Sequence, residues 1–124
     1  MATVALHTVL RPGHEDEYDT LHRAIPSEVA QALREHGVSD WRIWRDGQHV
    51  FHLVDVADYQ AMRDGLRNDP GNLAWQAAVG PLFEVPDSYA GDDSGIDFLW
   101  GLADQLAREL AGRVAGPDVA RDGD

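Results

Sequence analysis

The 124 residues include no cysteine, which excludes a disulfide framework, a thiol nucleophile and a thiolate metal site. Lysine is absent too. All ten basic residues are arginine, against 22 acidic ones, and the net charge is −12. That balance disfavours nucleic acid and anionic membrane, since both are bound through positive charge that releases counterions or meets headgroups. No apolar run approaches the roughly 20 residues needed to span a bilayer. The start, Met1-Ala2-Thr3-Val4-Ala5-Leu6, lacks a basic region followed by an apolar stretch and cleavage site. The expectation is a cytoplasmic protein with a neutral or cationic small-molecule ligand.

Apolar residues make up 44% and charged residues 26%, the composition of a globular domain. The length suits one domain over residues 1–100, followed by an amphipathic helix over 101–116 and a flexible tail over 117–124. Val4, Leu6, Thr8 and Leu10 alternate with Ala5, His7 and Val9, which predicts a strand with apolar residues on both faces. After the turn at Arg11-Pro12-Gly13, Tyr18, Leu21, His22 and Ile25 recur at helical spacing until Pro26. Ser27 opens a second helix that Gly37 ends.

Val38 to Arg45 and Gln48 to Val56 read as a hairpin across Asp46-Gly47. Tyr59, Met62 and Leu66 mark a third helix, and Leu73 to Val79 a short one closed by Gly80-Pro81. Ile96 to Trp100 supplies the remaining strand, beyond a solvated loop from Pro86 to Gly95. The fold class is therefore α+β, a ferredoxin-like split βαβ unit with an added C-terminal helix. Leu102, Leu106, Leu110 and Val114 stripe that helix, which is expected to pack on its own domain or on a partner subunit. Its polar face is not basic, which argues against a membrane role.

The most informative pair is Tyr18 and His22, four residues apart and so on one helical face. Half-buried packing is the ordinary role of such a pair. Together, though, a phenol and an imidazole can hold a hydroxylated ligand while the imidazole moves a proton near neutral pH. Among the other histidines, His49 and His52 should point to opposite faces of their strand, a poor arrangement for a shared metal. His14 starts an acidic first helical turn. His7 is the reserve candidate for a second acid–base group, since its strand could turn it toward a pocket.

Pro12-Gly13, Glu17-Tyr18, His22, Ile25 and Glu28, then His36-Gly37-Val38-x-Asp40-Trp41-x-Ile43 and the Asp46-Gly47 turn, resemble the L-rhamnose mutarotase family over about residues 3 to 100. The resemblance implies a dimeric α+β barrel in which two ferredoxin-like units pair sheet to sheet. It also implies exchange of the α and β anomers of a pyranose, without metal or cofactor. In that family the histidine matching His22 is the proton donor, and residues matching Tyr18, Trp41 and Trp75 bind the sugar. Tryptophan faces suit the C–H surface of a sugar.

Two segments depart from the family pattern. Ala74 stands where a second tryptophan is usual, and Ala24-Ile25-Pro26-Ser27 replaces a Pro-x-Trp-Pro run. Smaller side chains there would reshape the pocket around a rhamnose-like sugar or a derivative of one. Two other classes stay open: a cofactor-independent oxygenase, cyclase or isomerase of a larger natural product on the same barrel, and a non-catalytic binding module. A polar pocket at Tyr18 and His22 favours the sugar enzyme, an enlarged apolar one the second class, and a filled one the third.

Overall fold

Asp46-Gly47 makes the hairpin that the sequence predicts. The computed structural model describes residues 2–87, 89 and 95–115, and in it β2 (Val38–Asp46) pairs antiparallel with β3 (His49–Val56). Gly47 opens the two-residue turn with φ of +60°, a conformation that primed hairpin turns need and side chains resist. β1 (Ala2–Val9) joins the other edge of β3, giving the sheet order β1-β3-β2. Along β3 the two faces separate as period two requires. Val50, His52, Val54 and Val56 are buried, whereas His49 and Phe51 are exposed.

Four helices cover the buried face: α1 (Glu15–Leu21), α2 (Ser27–Glu35), α3 (Tyr59–Leu66) and α4 (Pro70–Val79). Asp58 caps α3, its carboxylate accepting the Ala61 N–H at 3.0 Å. Asp69 caps α4 in the same way, and Pro70 fills the first helical position, so this helix begins a turn before Leu73. The interior divides into two apolar clusters. One gathers Val54, Val56, Tyr59, Met62 and Leu66; the other gathers Leu10, Tyr18, Val50, Val79, Leu82 and Phe83.

Ile96 to Trp100 does not form the expected fourth strand. Residues 82–84 already use one end of the β1 edge, through Arg11 N–H to Leu82 O at 2.7 Å and Glu84 N–H to Val9 O at 2.9 Å. Further along, that edge receives the Ile96 N–H on Ala5 O at 2.8 Å. Gly95 approaches with φ of +80°, so close to Val4 and Ala5 that a Cβ would collide with them, and the chain arrives in a left-handed rather than an extended conformation. Residues 97–100 carry no strand pairing.

The loop expected to be merely solvated is anchored where it is described. Arg63, 1% exposed on α3, donates to Asp87 at 2.6 and 3.2 Å, and its guanidinium lies 5.2 Å from the ring of buried Tyr89. A buried guanidinium needs such a counter-charge. The terminal helix forms as α5 (Leu102–Ala115), but Leu102, Leu106 and Leu110 stay 57%, 53% and 60% exposed. The expected packing on its own domain is therefore not made. The side chain of Val114 and the tail over 117–124 lie outside the described residues. Among the described residues, no helix is long and apolar enough to cross a membrane.

Candidate active site

Between the two apolar clusters the helices and sheet leave a cavity of about 860 Å³. Small-molecule sites commonly hold roughly 300–1,000 Å³, so this one is roomy. Tyr18, His22, Trp41 and Trp75 all line it. Ala24 and Ile25 line it as well. Ala74 is exposed and outside the lining, leaving Trp75 as the tryptophan that α4 contributes.

His22 follows the last residue of α1, and the Tyr18 carbonyl accepts both its backbone N–H at 3.1 Å and its ring nitrogen Nδ1 at 2.9 Å. A carbonyl can only accept, so Nδ1 carries the hydrogen and Nε2 bears the lone pair. The ring stacks on Tyr18 at 4.0 Å between centroids and meets the edge of Trp75 at 5.1 Å. Burial lowers the His22 pKa below its ordinary 6.5, with the Tyr18 carbonyl and Asp19 opposing. At neutral pH this is a neutral imidazole with one oriented basic nitrogen.

Tyr18 is 2% exposed, and burial followed by the Asp19 charge raises its pKa far above the ordinary phenol value. It stays protonated, a fixed donor and acceptor. Its hydroxyl makes no protein hydrogen bond among the described residues, which leaves it to a ligand. Next to it, Asp19 takes a bidentate grip from Arg45 at 2.7 and 2.6 Å, tying α1 to β2. That hydrogen bonding holds the Asp19 carboxyl below its ordinary range.

The opposite wall holds residues that sequence reasoning passed over. Trp41 Nε1–H donates to His52 Nδ1 at 3.1 Å, and His52 Nε2 lies 3.1 Å from Thr8 Oγ1. Strand parity was the available signal for His52. It shares a face with buried Val50 and Val54, and Ile43, its partner across the hairpin, faces the cavity. Asn72 and Gln76 on α4 add amides.

His7 is not brought to this cavity. Leu6 and Thr8 face inward, so His7 between them faces out, 3.0 Å from His49 and stacked on Phe51 at 5.0 Å.

Burial, and then the nearby His22 and His7, push the His52 pKa down to about 4. The unfolded chain, at about 6.5, binds the proton more readily. Stability from this group is full above pH 6.5 and is lost as pH falls toward 4, at no more than about 1.4 kcal/mol per pH unit. Urea unfolding at pH 7 and pH 5 should show that His52→Gln removes part of the acid sensitivity. An unchanged difference between the two pH values would contradict the assignment.

The L-rhamnose mutarotase family model matches residues 3–99, ending before α5. An L-rhamnose mutarotase of Burkholderia ambifaria is 45% identical over 103 residues, covering 68% of this chain and 99% of its own. One from Paraburkholderia phymatum is 33% identical, with 68% and 95% covered. The crystal structure of an L-rhamnose mutarotase from Formosa agariphila superposes with a TM-score of 0.66 at 18% identity, over 82% of this chain and 99% of that one. At that identity the superposition speaks for the fold. With the family match spanning most of the chain and relatives matched over nearly their whole length, this protein belongs to the L-rhamnose mutarotase family, isomerases that act on carbohydrates.

Proposed function

We propose that the chain interconverts the α and β anomers of a free pyranose, rhamnose-like or a derivative of it, with His22 moving the proton. The observation that carries this reading is the locked tautomer of His22, whose Nδ1 is spent on the Tyr18 carbonyl while Nε2 remains for a ligand in the cavity. Ring opening removes the proton from the anomeric O1, forms the C1=O1 double bond, breaks C1–O5 and protonates O5. Rotation about C1–C2 and the reverse steps give the other anomer. O1 and O5 are bonded to the same carbon, so one imidazole nitrogen, directly or through one water, can accept the first proton and return it to the second oxygen. His22 thereby becomes the donor in the second half.

Tyr18 orients the sugar through its hydroxyl, and Trp41 and Trp75 offer ring surfaces to its C–H face. The polar groups around the cavity favour this account over an apolar natural-product enzyme, and the open volume argues against a filled, purely structural module. Saturation-transfer NMR on a panel of free sugars, with and without protein, tests it. Faster anomeric exchange for at least one pyranose is expected; no acceleration across the panel would sink the reading. Tyr18→Phe should raise KM by the value of one neutral hydrogen bond, about 0.5–1.5 kcal/mol, with a smaller effect on kcat. Steady-state exchange kinetics would contradict this if kcat fell and KM did not move.

The same reading includes a homodimer through the uncovered face of the sheet. There Trp44 is 52% and Phe51 44% exposed, beside His7, and a lone chain would leave them wet. The exposed side chains of Ile96, Phe98, Leu99 and Trp100 and the leucines of α5 extend the surface available to a partner.

A further inference from the structure

Trp41, His52 and Thr8 form a hydrogen-bonded chain along the cavity wall that the proton transfer at His22 does not use. The indole can only donate, so Trp41 Nε1–H at 3.1 Å marks His52 Nδ1 as the bare nitrogen. Burial keeps the ring neutral at physiological pH, so its hydrogen sits on Nε2 and is donated to Thr8 Oγ1 at 3.1 Å. With both nitrogens committed, His52 has no lone pair or proton to lend to catalysis. Thr8 is different. A hydroxyl that accepts this bond keeps its own proton to give, and its side chain makes no other hydrogen bond among the described residues.

Thr8 lines the cavity on the same wall as Trp41. A donor set beside an aromatic face is the arrangement that grips one hydroxyl oxygen of a sugar while the ring surface covers the neighbouring C–H groups. We propose that Thr8 is a substrate-binding residue whose hydroxyl donates to one oxygen of the pyranose, and that His52, oriented by Trp41, is the positioning residue that aims it. The proposal rests on the sugar reading above and adds a specificity determinant to it. A site built to bond a hydroxyl discriminates against the analogue that lacks it.

Exchange kinetics on whole-protein variants test this, with the sugar that wild type accelerates best. Thr8→Val should raise KM roughly 2- to 12-fold, the range of one hydrogen bond, and show less change in kcat. Thr8→Ser should restore the wild-type value. His52→Leu should copy the KM rise of Thr8→Val, and the double variant should be no worse than either single one. His52→Gln, whose amide can accept from Trp41 and donate to Thr8, should stay near wild type. Across a series of singly deoxygenated sugars, one member should erase the difference between wild type and Thr8→Val. Nitrogen-15 NMR should show His52 as the Nε2–H tautomer.

An unchanged KM in Thr8→Val, or the Nδ1–H tautomer at His52, overturns the proposal while wild-type exchange still supports the sugar enzyme. If wild type accelerates no sugar, both fall together.

Discussion

His22→Ala is expected to lose about 10²- to 10⁴-fold in the rate of anomeric exchange, the usual worth of a positioned general acid–base. KM should change little, because the imidazole acts chiefly while protons are in flight and contributes less to holding the sugar at rest. The wild-type pH profile should carry the mark of the same group. Burial lowers the His22 pKa from its ordinary value, so the acid limb of the rate should lie at lower pH than the titration of a free imidazole. In the alanine variant that acid limb should vanish. The substitution also removes the ring that stacks on Tyr18 and abuts Trp75, so a companion His22→Gln variant with an unchanged unfolding midpoint separates lost chemistry from lost packing. Full exchange activity in either variant would overturn the assignment.

Both the helix that carries Tyr18 and the hairpin that carries Trp41 were legible in the sequence, because each is fixed by local chemistry. Tyr18 and His22 follow a helical period, although α1 ends at Leu21 rather than at Pro26, and Gly47 supplies the positive φ of the turn. His7 was harder to place. β1 has apolar residues at both parities, so nothing in Val4 to Leu10 tells which face turns inward until β1 is paired with β3. Once Thr8 is opposite Val50 and Leu6 opposite His52, the inward set follows and His7 is excluded. The Trp41–His52–Thr8 chain joins three strands and has no spacing signature to find. The segment after Gly95 fails for another reason. Its apolar residues look like a strand, yet strand pairing depends on a free edge, and β1 offers Ile96 one carbonyl at Ala5. Apolar pattern gives the tendency to be buried, not the partner that buries it.

Phe51→Asp is expected to dissociate the proposed homodimer, raising its Kd by at least about 10³-fold. The residue sits in the middle of the uncovered sheet face, directly opposite His7 on one side and Trp44 on the other. In a two-fold dimer the same patch meets itself, so every substitution enters twice. Truncating one well-packed aromatic at an interface centre typically costs about 2 kcal/mol or more, and two such losses with two buried carboxylates exceed about 4 kcal/mol. The fold of each chain should survive, since Phe51 is outside both apolar clusters and β3 keeps Val50, His52 and Val54 on its buried face. Light scattering across micromolar concentrations, with circular dichroism as the control for folding, reads the result. A monomeric wild type would remove the dimer altogether. A Phe51→Asp variant that remained dimeric would move the interface off the sheet, leaving the exposed leucines of α5 and the run from Ile96 to Trp100 as the surface to substitute next.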